Sequence, residues 1–157
     1  MSKARKFLVI ADGSDESRNA AYFAARRARH SGGTVTALAV VEPADFEHWI
    51  GVGEAMRREA TEAAETTLES LAEDIEAETG ERPELLLREG ATLDVLRKVV
   101  EDDEAIAILV LGAAATGDDP GPLVTNLSRG RGLFGERAIP VTVVPGALTR
   151  EAIKALA

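Results

Sequence analysis

Short apolar runs alternate with longer amphipathic stretches along this chain. Each run consists of apolar and β-branched residues between polar or turn-forming residues, which is typical of a strand buried on both faces. The predicted strands cover residues 7–11, 34–41, 85–87, 105–111 and 139–144. Because Pro140 cannot donate a hydrogen bond within a sheet, we expect the last strand to begin late or to lie at an edge.

Amphipathic helices are predicted between these strands, from apolar residues that recur every three or four positions. Ser14 is a good N-cap for the first helix, which Gly32 ends, and the acidic second helix covers residues 54–79. Thr92 is the predicted N-cap of the third helix. Residues 128–132 are either the end of a fourth helix that begins near Leu123 or a loop. Strands that alternate with helices form right-handed βαβ units, so the sequence predicts an α/β fold with a flavodoxin-like, doubly wound parallel sheet.

The composition narrows the classes of function without selecting one. The chain has 157 residues, a formal net charge of −9 and no cysteine. This length indicates a single domain over residues 1–157. The negative charge argues against nucleic acid or a membrane as a partner, and the lack of cysteine excludes thiolate chemistry. No apolar run is long enough for a membrane span or a signal peptide, so a cytoplasmic protein is expected.

Two parts of the chain carry motifs that occur together in one family. The first strand runs into VIADGSDESRNA, and the last two predicted strands read AIAILVLGAAATG and IPVTVVPG. From about Lys6 to Pro145 the sequence resembles the universal stress protein (UspA) family. The resemblance implies a five-stranded sheet in the order 3-2-1-4-5 with helices on both faces. It also implies a ligand site at the carboxyl ends of strands one and four, where the strand order reverses.

The candidate site residues lie at the carboxyl ends of the predicted strands and in the loop after the fourth strand. The resemblance implies a nucleotide pocket there, in which glycines let the backbone approach phosphates and Asp12 serves the adenosine end. The candidate residues are Asp12, Gly13, Val41, Gly112, Thr116, Gly117 and Gly121. Two local interpretations remain open: Asp12 caps the first helix or bonds loop amides, and Gly112 serves only a tight turn.

The loop after the fourth strand departs from the motif of the family's ATP-binding members. That motif is Gly-x-x-Gly, then nine residues, then Gly followed by Ser or Thr. The second glycine position is Ala115 in this chain, and the final pair falls on Thr125 and Asn126. If Gly121 is instead the final glycine, the loop is too short and Pro122 replaces the hydroxyl residue. Either alignment breaks the motif twice.

Charge in the same loop also disfavours a polyphosphate. Asp118 and Asp119 lie where phosphates would bind, and their repulsion would require a metal ion in between. An irregular anion site formed by Thr116-Gly117 with Arg129 and Arg131 remains an alternative.

The histidines and aromatic residues indicate no catalytic chemistry. His30 lies in the last turn of the first helix, where a cation suits the helix dipole, and His48 lies in a loop beside Trp49. Neither has histidines at ligand spacing or paired carboxylates nearby, so we expect neither catalysis nor a metal site. Phe46 and Trp49 are expected to anchor their loop on the body of the protein, and a cover over a pocket is the alternative.

The sequence thus predicts a universal stress protein-like regulatory module of the non-ATP-binding type that is not an enzyme. It is expected to act in the stress response through unidentified protein partners and without a cofactor. The resemblance implies a homodimer through the final strand at residues 141–144, and the apolar pair Val143-Val144 on a possible edge strand fits this pairing. The alternative is an adenine-nucleotide-binding protein that holds ATP or AMP, with or without Mg²⁺, in a variant loop.

Overall fold

Parallel strands form one sheet in the computed structural model of the chain, which describes residues 4–43, 52–115, 121–128 and 134–157. The strands are β1 (Lys6–Ile10), β2 (Thr34–Val41), β3 (Glu84–Glu89), β4 (Ile106–Ala113) and β5 (Val141–Pro145). Their order is β3-β2-β1-β4-β5, and each neighbouring pair is parallel. This arrangement confirms the predicted flavodoxin-like fold and places the switch in strand order between β1 and β4.

Helices cover both faces of the sheet. They are α1 (Asp15–Ser31), α2 (Val52–Thr79), α3 (Thr92–Asp102), α4 (Pro122–Ser128) and α5 (Arg150–Leu156). Buried residues of α1, α2 and α5 form one apolar cluster with the sheet, and residues of α3 and α4 pack into the other. None of the helices in the described ranges is both long and apolar enough to cross a membrane.

The apolar run of β1 divides its side chains between the two layers. Phe7 and Val9 belong to the cluster of α1, α2 and α5, whereas Leu8 belongs to the cluster of α3 and α4. Successive side chains of a strand point to opposite faces, so each residue of this central strand enters an apolar layer. The absence of alternation in the sequence of β1 is therefore explained by burial on both sides.

The ends of several elements agree with the predictions. Ser14 is the N-cap of α1 and accepts a hydrogen bond from the amide of Ser17 at 3.2 Å. Gly32 ends this helix with φ of 74°, in the left-handed region that glycine adopts most easily. Strand β5 begins at Val141, directly after Pro140, as the missing proline donor requires.

Two predicted features differ in the structure. The prediction of Thr92 as an N-cap was wrong: the N-cap of α3 is Ala91, which makes no side-chain capping bond, and Thr92 is the first helical residue. The apolar stripe predicted along α2 is buried only in its second half, from Leu68 onward, and Met56 is 38% exposed. The first half of α2 instead contributes to a cavity.

Candidate functional site

A cavity of about 760 Å³ opens at the carboxyl ends of β1, β2 and β4. Its walls come from these strand ends, from the first turns of α1 and α3, from the first half of α2 and from α4. Parallel strands that diverge at a change in strand order leave such a crevice, because the connections on either side leave in opposite directions. The volume lies within the range of pockets that bind small molecules.

Asp12 lies on the cavity wall just beyond the end of β1. Its Oδ1 accepts hydrogen bonds from the amide of Ser14 at 2.9 Å and from the hydroxyl of Ser14 at 2.5 Å. Since Ser14 also caps α1, the carboxylate and the helix start are fixed together. The Oδ1 atom of Asp12 therefore binds a loop amide, as one of the two local interpretations expects. The same side chain also borders the cavity.

Glu42 occupies the equivalent place beyond the end of β2 and also borders the cavity. Its Oε1 accepts from the amide of Thr92 at 3.2 Å and from the hydroxyl of Thr92 at 2.6 Å. The two acidic side chains thus bind in the same way: one carboxylate oxygen accepts hydrogen bonds from both the N–H and the O–H of a Ser or Thr at a helix start. This pairing explains why the Thr92 hydroxyl does not cap its own helix.

Glu16 adds a third carboxylate to the wall, from the first turn of α1. Among the described residues that line the cavity, there is no lysine, arginine or histidine. The remaining polar side chains on the wall are the neutral Ser17, Thr67, Thr92 and Asn126. All charged side chains on the described part of the wall are therefore acidic, and the rest of the wall is neutral polar or apolar.

Gly112 lies within β4 and not in a tight turn, so that interpretation was wrong. A Cβ atom built on Gly112 would overlap the carbonyl oxygen of Glu16 and approach its carbonyl carbon to 2.5 Å. Glycine at this position therefore lets the first turn of α1 lie directly against β4. The close approach forms the floor of the cavity between the two elements that flank the switch point.

Small side chains leave the space that the cavity occupies. Ala60, Ala63 and Ala64 of α2 line it, together with Ala20 of α1 and Ala39 of β2. A leucine or phenylalanine at any of these positions would extend into the open volume. The volume of the cavity thus depends on the small size of the alanine side chains on α1, α2 and β2.

The structure brings together some of the predicted site residues. Asp12, Val41, Gly112 and Gly121 line the cavity, whereas Gly13 does not, although its φ of 83° shapes the turn between Asp12 and Ser14. Thr116, Gly117, Asp118, Asp119, Arg129, Arg131, Phe46, His48 and Trp49 lie outside the described residues.

Sequence reasoning missed Glu16, Glu42, Thr92 and the alanines of α2 as wall residues. Glu42 had a usable signal, because it directly follows a strand whose carboxyl end belongs to the same edge as that of β1. The alanines had none, since alanine is the commonest helix former and its spacing was equally well explained by core packing.

Neither metal nor histidine chemistry is indicated in the part of the chain that is described. No group of three or more histidine or carboxylate side chains there could hold a metal ion. His30 is exposed, and its Nδ1 lies 2.8 Å from the main-chain oxygen of Ala157, away from the cavity wall.

Comparisons with solved structures show the same fold. The universal stress protein UspA from Lactobacillus plantarum superposes with a TM-score of 0.72 and 16% identity, covering 92% of this chain and 99% of that chain. A universal stress protein from Archaeoglobus fulgidus gives a TM-score of 0.65 at 20% identity, covering 88% and 92%. A universal stress protein in complex with cAMP gives 0.63 at 18% identity, covering 93% and 100%.

The sequence of the chain also matches a protein-family model. No match is found among curated proteins. The model of the universal stress protein family matches residues 3–124, from before β1 into α4 and including the cavity-lining parts of β1, β2 and β4. This match spans more than half of the chain, and so the chain belongs to the universal stress protein family.

Proposed function

We propose that this chain is a regulatory binding module of the non-ATP-binding type, acting without catalysis and through protein partners in a stress response. The observation that carries the proposal is the charge of the cavity wall. Asp12, Glu16 and Glu42 border it, and no cationic side chain does so among the described wall residues. A triphosphate carries several negative charges, and these carboxylates repel it, most of all Glu16, which is half-buried while Asp12 and Glu42 are exposed.

The start of α4 supports the same conclusion. Helix N-termini bind phosphates through free N–H groups, and Pro122 at the first position of α4 has no N–H to offer. Family members that bind ATP carry a hydroxyl residue after the last glycine of their motif, which would add a donor. If Gly121 is the final glycine of the motif, Pro122 stands where that hydroxyl residue belongs, and it supplies neither a hydroxyl nor an N–H donor.

Calorimetric titration with ATP and Mg²⁺ tests this proposal, after mass spectrometry has verified that no nucleotide copurified. We expect no heat of binding up to millimolar ATP, with Asp12→Ala giving the same result. Micromolar binding that is lost in Asp12→Ala would overturn the non-ATP-binding assignment.

Homodimerisation through residues 141–144 is part of the proposal. β5 lies at the edge of the sheet, and its outer side pairs with no strand of the described chain. Val141 and Val143 are only half-buried, so pairing with a second β5 would cover apolar surface and satisfy open backbone groups. Light scattering at tens of micromolar should give the mass of a dimer, and Val143→Lys should shift it toward a monomer. A monomeric wild type would refute this interface.

A second candidate function is adenine-nucleotide binding, and one observation favours it. Asp12, Val41, Gly112 and Gly121 border one cavity, as a nucleotide pocket would require, and one protein of the same fold was solved in complex with cAMP. AMP carries fewer charges than ATP, so the acidic wall opposes it less. Titration with AMP beside ATP separates the candidates, because binding of AMP alone would favour this one.

The remaining parts of the proposal concern the chain as a whole. All strands of the described residues join one sheet, which supports one domain over residues 1–157. We place this domain in the cytoplasm and assign it no metal and no cofactor. Fractionation of cells that express the tagged chain tests the compartment.

A further inference from the structure

We propose that the cavity between β1, β2 and β4 binds an amphipathic organic cation, with an apolar body against the α2 wall and an ammonium group toward the carboxylates. This inference deepens the proposed function and rests on its claim that the same cavity does not take ATP. It concerns the class of ligand, which neither the family match nor the fold determines.

The apolar part of the cavity defines the body of the ligand. Ala60, Ala63 and Ala64 form one wall, and the side chains of Leu93 and Leu123 contribute from the opposite layer of the protein. A ring or a short hydrocarbon would remove this surface from water without requiring a polar partner. At about 760 Å³ the cavity is large enough for a body of several ring atoms together with a polar group.

The acidic part of the cavity defines the charge of the ligand. One carboxylate oxygen of Asp12 accepts hydrogen bonds from Ser14, and one of Glu42 accepts from Thr92. The other oxygen of each carboxylate forms no hydrogen bond with a described residue. Glu16 is half-buried on the same wall and forms no ion pair within the described chain. An ammonium group has three donors and the opposite charge, so it can use the unoccupied oxygens where a phosphate cannot.

The two anchored carboxylates give the site its preorganisation. Because Ser14 and Thr92 each bind their partner through both N–H and O–H, the carboxylates of Asp12 and Glu42 need not be ordered by the ligand. The anchors lie at the starts of α1 and α3, on opposite layers of the sheet.

Three indole probes that differ in one group test the charge requirement. Tryptamine carries an ammonium group at neutral pH, tryptophol carries a neutral hydroxyl and indole-3-acetate carries a carboxylate. Saturation-transfer NMR with the full chain should give binding in the order tryptamine, tryptophol, indole-3-acetate. We expect tryptamine to bind roughly fivefold more tightly than tryptophol in low salt, the size of a partly exposed ion pair. The ratio should fall toward one in 0.5 M NaCl.

Matched variants locate the binding. Ala60→Leu should weaken all three probes by filling the cavity, whereas Ala55→Leu, exposed on the same helix and outside the cavity wall, should leave them unchanged. Glu16→Gln should lower the tryptamine-to-tryptophol ratio, and Glu65→Gln, exposed on α2, should not. Thermal unfolding of each variant verifies that it is folded.

The outcomes separate this inference from the proposed function. Equal affinity for tryptamine and tryptophol, absence of binding by all three probes at millimolar concentration, or no effect of Ala60→Leu would overturn the cation site. ATP binding in the calorimetric titration would overturn the proposed function, and with it this inference, whereas failure of the indole probes without ATP binding would overturn the cation site alone.

Discussion

Gly112→Ala is the substitution with the largest expected effect at the floor of the cavity. The added methyl would overlap the carbonyl oxygen of Glu16, and no rotation can relieve it because both groups are close to the backbone. β4 is held on both sides, by β1 and by β5, with Gly112 in register with Val144. The first turn of α1 must therefore move outward and take the capping Ser14 with it.

The magnitude follows from two opposing effects. Overpacking of a well-packed site costs about 1–3 kcal/mol. The loss of unfolded-state freedom on replacing glycine stabilises by about 0.4–1 kcal/mol, and it applies here because φ of Gly112 is not positive. The overlap is with backbone and not with a flexible side chain, so we expect the upper part of the overpacking range and a net loss of about 1–2.5 kcal/mol.

Urea unfolding followed by circular dichroism measures this loss, and thermal unfolding should show a melting temperature lower by about 2–10 °C for a chain of this length. Gly32→Ala is the control: it has open space around the added methyl but a φ of 74° that disfavours alanine. It should destabilise α1 without altering binding at the cavity, whereas Gly112→Ala should alter both. Wild-type stability in Gly112→Ala would refute the close approach of α1 to β4.

Three further predictions concern the framework. Arg137→Ala should lower the free energy of unfolding in urea by about 2–3 kcal/mol, because the guanidinium donates to four main-chain carbonyls between residues 100 and 106; Arg137→Lys, which lacks the planar fork, should not restore it. Ser14→Ala should cost about 1 kcal/mol as a lost N-cap, and an unchanged urea midpoint would contradict the cap. The hydrogen bond from Lys6 to Asp103 raises the pKa of Lys6 above 10.5. The stabilisation that this hydrogen bond provides is therefore complete below about pH 10.5, and it is lost as the pH rises through the raised pKa of Lys6. The difference in melting temperature between wild type and Lys6→Met should shrink over that rise in pH.

The sequence was sufficient for the order and type of the elements because two independent patterns agreed. The runs of β1 and β4 are apolar throughout, whereas a strand with one solvent-exposed face would alternate apolar and polar residues. The segments between the strands have helical periodicity. A parallel sheet with helices on both faces buries both sides of these strands. The late start of β5 followed from one residue, Pro140. These features depend on local chemistry that a single sequence contains.

The features that could not be predicted depend on contacts between distant segments. Whether Gly112 serves a turn or a close approach depends on Glu16, which is far away in sequence and adjacent only after the sheet has formed. Thr92 is a good N-cap by type, but Glu42 at the end of β2 competes for its hydroxyl. In both cases the role of the residue is decided by a neighbour that is distant in sequence, and the residues next to it in the chain do not indicate which role it takes.

The fold and the chemistry of the cavity depend largely on different residues. A crevice at the switch point follows from strand order alone, and the proteins of this fold share it whatever they bind. Selectivity must therefore come from side chains that the fold does not require. For the binding site that we propose in this chain, those are Glu16 and Glu42, which together with Asp12 set the charge of the wall, and the alanines of α2, which set its volume. Replacing Glu16 or Ala60 should change what binds without changing the sheet, whereas replacing Gly112 should change both, because Gly112 lies in β4, lets the first turn of α1 approach the sheet and also lines the cavity.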